Sequence, residues 1–213
     1  MNRWSFFHVC LVGLLLTSSQ VLAQDKNSEG WTTIFDGNTF NGWRASEHQQ
    51  SWKIEDGAFV CRGERSHLFY VGDEKPFVNF EFQCDAKTTP GSNAGIYFHT
   101  KFQEVGWPKF GYECQVNISH KDPIKSGSLY GTVNVSNPPA KDNEWYTTHI
   151  QVEGRRVVVK VNNKVVVDYT EPENKAPFND QFERRLGSGT FAFQAHDPAS
   201  IVSFKNIKVK RLP

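Results

Sequence analysis

An excess of charge of either sign, the ligand spacings of a metal site and helical periodicity are all missing from this 213-residue chain. Its 24 Lys and Arg nearly balance 23 Asp and Glu, for a net charge of +1, and both signs are spread along the sequence. That leaves no electrostatic footprint for nucleic acid or an anionic membrane. Cysteine is sparse: Cys10 lies in the N-terminal stretch, and Cys61, Cys84 and Cys114 are far apart. With no CxxC pair and no zinc-like Cys/His spacing, these three read mainly as small buried side chains. An odd number leaves at least one thiol unpaired, although an exported chain could form one disulfide. The longest apolar run, about Phe6 to Leu16, is too short to span a bilayer comfortably.

That run is nevertheless informative, because Arg3 precedes it and a polar stretch ending Val21-Leu22-Ala23 follows it. Residues 1–23 read as a secretory signal peptide cleaved after Ala23, with an uncleaved anchor as the rival reading. The expectation is a secreted or periplasmic protein, with no membrane partner once the leader is gone. Residues 24–213 are then enough for one domain with a large core.

From Trp31 onward, short β-branched and aromatic runs are broken by Gly, Pro, Asn and Asp about every ten residues, which is a strand-and-turn pattern. Expected strands are 31–35, 52–55, 58–62, 68–70, 78–88, 94–99, 110–116, 128–132, 146–153, 156–161, 164–169, 189–194 and 201–210. RVVVKVNNKVVVDY is the clearest hairpin, turning at Asn162-Asn163, residues that tolerate positive φ. Segments 119–127 and 171–188 read as long loops. Many antiparallel strands without helical periodicity imply an all-β, single-domain jelly-roll sandwich.

Three of those strands carry polar groups where a buried face would want none. In KFGYECQV, alternation puts Phe110, Tyr112, Cys114 and Val116 on one side and Glu113 and Gln115 on the other. It also pairs Tyr97 with His99 in GIYFHT, and Gln194 with His196 in GTFAFQAHD. If the three strands share a sheet, these polar faces merge into one patch of His, Glu and Gln. The 17 Phe and 6 Trp suit a sandwich core, and also a carbohydrate site in which a ring stacks on a sugar face.

The ordered segments GWTTIFDGNTFNGW, SWKIEDGAFVCRG, NFEFQCDAKTTPGSNAGIYF, GYECQV, GSLYG, NEWYTTHIQVEGRRVVVKVNNKVVVDY and GTFAFQAHDPASIVSFKNIKVKRL resemble the 3-keto-disaccharide hydrolase domain family (DUF1080) over nearly the whole chain beyond the leader. The resemblance implies a concanavalin A-like jelly roll, bacterial export and action on glycosides oxidised at the 3-position. It matches Glu113, His99, His196 and Asp197 to the family's polar positions.

The chemistry of the residues is consistent with such a substrate. Retaining glycosidases need two carboxylates about 5 Å apart, and glucanases of this shape carry them at alternate positions of one strand. Here the position two beyond Glu113 is Gln115. A 3-keto sugar asks for less, because its carbonyl acidifies the C2 hydrogen and the C1 substituent can leave by elimination, with water added afterwards. Glu113, His99 and His196 are the candidate acid and base groups. Gln115, Tyr130 and Gln194 could steady an enolate, Trp107 could stack on the sugar, and Asn93, Asp197 and Arg184 could bind hydroxyls.

Each residue has a plainer role open to it. Glu113 could be a salt-bridged sheet carboxylate, and the two histidines hydrogen-bonded sheet residues. Asp197 could cap the turn before Pro198, and Asn93 could bend a loop. Tyr130 and Trp107 could pack, and Arg184 could pair with solvent beside Arg185. No cofactor is required by the sequence, although His99, Glu113 and His196 have the chemistry for a divalent cation. The expected partner is an oligosaccharide or glycoside. A non-catalytic carbohydrate-binding module is the alternative reading, and a surface adhesion domain the third.

Overall fold

The computed structural model describes residue 1 and residues 29–213, so the leader reading of residues 1–23 lies outside the described residues. Thirteen strands form: β1 (Thr32–Thr33), β2 (Trp43–Ala45), β3 (Trp52–Glu55), β4 (Ala58–Arg62), β5 (Ser66–Tyr70), β6 (Phe80–Thr88), β7 (Ala94–Thr100), β8 (Tyr112–Val116), β9 (Tyr146–Glu153), β10 (Arg156–Val161), β11 (Lys164–Thr170), β12 (Thr190–Ala195) and β13 (Ile201–Arg211). One sheet runs β11-β10-β9-β6-β13-β4-β3, with β1 added to β13; the other runs β2-β5-β12-β7-β8. All pairings are antiparallel.

Alternation builds the layer between the sheets. In β6, Phe80, Phe82, Cys84 and Ala86 are wholly buried while the residues between them are not. Across the layer, Phe191 stacks on Phe82 at 4.6 Å and Phe193 on Phe204 at 4.2 Å between ring centres. Burying several such rings, at about 25 cal/mol per Å² of apolar area, is the main force holding the sheets face to face. The product is a jelly-roll sandwich. Cys61, Cys84 and Cys114 are free and buried in this core, so the open disulfide does not form.

The β10–β11 hairpin turns at Asn162 and Asn163, with φ of 48° and 62°. One expected strand is absent and one observed strand was not expected. Residues 128–132 are not a strand, because Gly127 and Gly131 take positive φ and Leu129 folds back to hydrogen-bond Val133. The short strand β2 escaped notice because three residues give too little pattern to read.

A candidate active site on the five-stranded sheet

β12, β7 and β8 are neighbours, so the three polar faces do meet. They floor a cavity of about 240 Å³, whose lining includes Asn93, Tyr97, Glu113, Gln115, Gln194 and His196. Loops supply its walls: Trp107 and Pro108 on one side, Asp122 and Tyr130 on another, Phe182 and Arg184 on a third.

Glu113 is the centre of the floor. Gln194 donates from Nε2 to its Oε1 at 3.1 Å and to the Tyr97 hydroxyl at 3.0 Å, and Tyr97 in turn donates to the carboxylate. The Gln115 amide, oriented so that its nitrogen donates to Glu113 Oε1 at 3.2 Å and to the Ala94 carbonyl at 3.0 Å, lies beside the Asn93 side chain. Burial pushes the Glu113 carboxyl up to about 7, against the hydrogen bonds from Tyr97 and Gln194 and the positive charge of Arg184. Room for this group comes from Gly95, opposite Gln115 on β7: a Cβ there would lie 2.4 Å from Glu113 Oε1.

His196 follows the last residue of β12 and reaches the same cavity. Its Nδ1 lies 2.7 Å from Asp197 Oδ2, and a carboxylate partner makes that nitrogen the donor, leaving the lone pair of a neutral ring on Nε2. Asp197 also accepts from the Ala199 and Ser200 amides and from the Ser200 hydroxyl, so it caps the turn and orients the ring at once. Burial works against its charge, but the bonds from His196 and Ser200 hold its carboxyl below the usual range. Arg184 lies over the Tyr130 ring at 4.7 Å and the Phe178 ring at 4.1 Å, and donates to the Tyr130 carbonyl. Gly131 makes this possible, since a Cβ there would collide with the guanidinium.

His99 is not in the cavity, which corrects the alternation argument. Between Phe98 and Thr100 the pairing with β12 slips by one residue, and His99, at φ 55°, is the extra one. A bulge of this kind breaks the period of two and turns the side chain to the other face. The ring packs against Phe80 and Phe98, its Nε2 meets the Val78 carbonyl at 2.8 Å, and its Nδ1 accepts from the Gly187 amide at 3.2 Å. Burial lowers its pKa. Among the described residues no group of three or more His, Cys, Asp or Glu is arranged to hold a metal ion, so the set His99, Glu113 and His196 does not converge.

Several residues in or beside the site were not anticipated. Asp122 and Phe182 lie in segments read only as loops. His120, in the first of these loops, has its ring 5.9 Å from that of His196. His67 is wholly buried on β5 opposite Gln194, edge-on to Tyr97 and Trp107 at 5.5 Å each. The alternation of SHLFY would have put His67 and Phe69 on one face had the strand been read from Ser66. Burial pushes the His67 ring down to about 3.

Comparison with known proteins agrees with this architecture. The family model of the 3-keto-alpha-glucoside-1,2-lyase-like domain matches residues 30–210. A 3-keto-disaccharide hydrolase of Bacteroides thetaiotaomicron is 30% identical over 174 residues, which cover 67% of this chain and 59% of that protein. The chain thus spans less than two thirds of that relative. Among solved structures, a candidate glycosyl hydrolase from Parabacteroides distasonis superposes with a TM-score of 0.72 at 24% identity, over 91% of this chain and 99% of the other. A carbohydrate-binding module from Bacillus subtilis gives 0.57 at 15% identity, over 79% and 95%. At these identities the superpositions show the fold.

Proposed function

Because this chain belongs to the 3-keto-alpha-glucoside-1,2-lyase-like domain family, we propose that it cleaves glycosides oxidised at C3, by elimination followed by addition of water. The observation that carries this reading is Glu113, a carboxyl on a cavity floor whose pKa is pushed up to about 7. Such a group gives and takes a proton within one turnover at neutral pH.

In this reading His196 Nε2, with the ring held by Asp197 at its other nitrogen, removes the C2 hydrogen that the ketone acidifies. The electron pair moves into an enolate whose oxygen at C3 is steadied by the fixed charge of Arg184. When the ketone re-forms, a C1–C2 double bond forms and the C1–oxygen bond breaks. The departing oxygen takes the proton from Glu113. Water then adds across the double bond, its hydroxyl to C1 and a proton to C2, and the net result is hydrolysis. Trp107 supplies a ring for the sugar face, and Tyr97, Gln115 and Gln194 hold the carboxyl in place.

The test is to incubate the protein with a 3-keto-disaccharide and with its unoxidised parent, in D₂O. Cleavage of the first alone, with deuterium at C2 of the product, is the expected result. Cleavage of the parent would overturn it in favour of direct hydrolysis by Glu113 and Asp122, the two carboxylates that share the cavity. Binding of both without cleavage would make the domain a carbohydrate-binding module. The reading also places the protein outside the cytoplasm, and a mature N-terminus at Gln24 would support that.

A further inference from the structure

Part of the five-stranded sheet's outer face is covered by its own chain. Residues 101–108 cross over β5 and β2 as a strap, with Phe102 edge-on to Phe69 at 5.3 Å and Arg44 lying over Phe102 at 4.1 Å. Trp107, at the end of the strap, covers His67 and forms a wall of the cavity.

Glu47 locks this strap from outside the cavity. Its Oε1 accepts from the Gly106 amide at 2.9 Å and from Arg65 Nε at 2.8 Å, and its own amide donates to the Glu104 carbonyl at 2.9 Å. The Arg65 guanidinium in turn sits 5.2 Å over the Trp107 ring. Arg44 pairs with Glu104 at 2.7 Å. Inside the strap, Gln103 donates to the Val105 and Trp107 carbonyls and accepts from the Lys109 amide. A segment with this many bonds to the sheet's edge is a fixed wall.

A groove crossing the five strands would have run from β8 to β2; the strap stops it at β12. We infer that the strap makes the site a blind pocket for a single terminal ring, so that the protein accepts an oxidised sugar only where that ring carries no further sugar. This rests on the reading above for the identity of the reacting ring. That ring must lie against Glu113 and His196, with Trp107 at the end of the strap as one wall of its cavity. With the strap closing the β5 side, a glycoside must direct its leaving group away from β5. A further sugar on an oxygen directed toward β5 meets the strap at Trp107. The leaving group, lying outside, is scarcely selected.

Two substrates of equal length test this: a trisaccharide oxidised on its terminal non-reducing ring, and one oxidised on its middle ring. Binding by calorimetry and turnover are both measured. Wild-type protein is expected to bind the first at least 100-fold more tightly and to cleave it alone. Glu47→Ala, and Arg65→Gln as a second variant, should raise the ratio of middle-ring to terminal-ring turnover or binding at least tenfold. Hydrogen exchange over residues 101–108 reports whether each variant has freed the strap. Equal binding of the two trisaccharides, binding of neither, or a freed strap with no gain on the middle-ring substrate would each overturn the inference. Selective binding without any cleavage would leave the pocket intact and refute the proposed reaction.

Discussion

Glu113 sits where a carboxylate is hardest to ionise. Its folded pKa, about 7, lies above its ordinary value of 4.5, so the unfolded chain releases this proton more easily than the folded one. The group therefore lowers stability as pH rises from about 4.5 to about 7, and the loss persists above that. Glu113→Gln should be more stable than wild type by about 1–3 kcal/mol at pH 8 and nearly equal to it at pH 4, measured by urea denaturation at both pH values. The same variant should lose turnover by at least about 100-fold, the scale of a general acid. Wild-type kcat/KM should fall as pH rises past about 7, when the acid form is depleted. Gly95 offers an independent check. Gly95→Ala must displace the carboxylate that would lie 2.4 Å from the new methyl group, so it should cost roughly tenfold or more in kcat while leaving the β7–β8 pairing folded.

Among the elements, the bulge in β7 decides which histidine can act. The residues on either side of His99 pair with β12, and the extra one is turned into the core, where it ties Val78 to Gly187. His99→Ala removes a buried ring and both hydrogen bonds, so it should destabilise by about 2–4 kcal/mol. Turnover by the folded variant should stay within about tenfold of wild type, whereas His196→Ala should lose at least about 100-fold, the scale of a general base. A loss of turnover in folded His99→Ala as large as that in His196→Ala would return His99 to the chemistry. Nothing in GIYFHT announces the slip, because each of its residues suits a regular strand and the bulge is set by how β7 meets β12. By contrast, β3, β4, β9 and β10 could be bounded from sequence to the residue, since turns punctuate both their ends. Asp122 and Phe182 could not be anticipated, because a loop's composition says nothing about which loop it will face.

For the molecule as a whole, acid is the weak point. His67 is pushed down to about 3 and His99 is also lowered, both by burial, so the unfolded chain binds protons that the folded one refuses. Their contribution is complete above the ordinary histidine value of 6.5 and is lost as pH falls below it. His67 alone should make the protein about 2 kcal/mol less stable at pH 5 than at pH 7, and His67→Phe should flatten that slope in denaturant titrations. The core makes a second prediction. Burial pushes the Cys61 and Cys114 thiols up to about 12 and raises that of Cys84 as well, and all three are closed to solvent. A thiol reagent should therefore modify them only as fast as the protein unfolds. Rapid labelling of the native protein would contradict the closed core.

Sequence alone determined the all-β class, most strand positions, the Asn162-Asn163 hairpin and the family, because alternation and turn chemistry are local and survive in the order of residues. It also put Glu113, Gln115, Gln194 and His196 on faces that turned out to share a sheet. Only the tertiary structure decided that His99 leaves that face, that His67 lies hidden beneath Trp107, and that a strap locked by Glu47 covers part of the sheet. Those outcomes depend on the slip between two strands and on what comes to rest over a side chain. Burial of that kind is produced by segments far apart in the chain, and no local pattern records it.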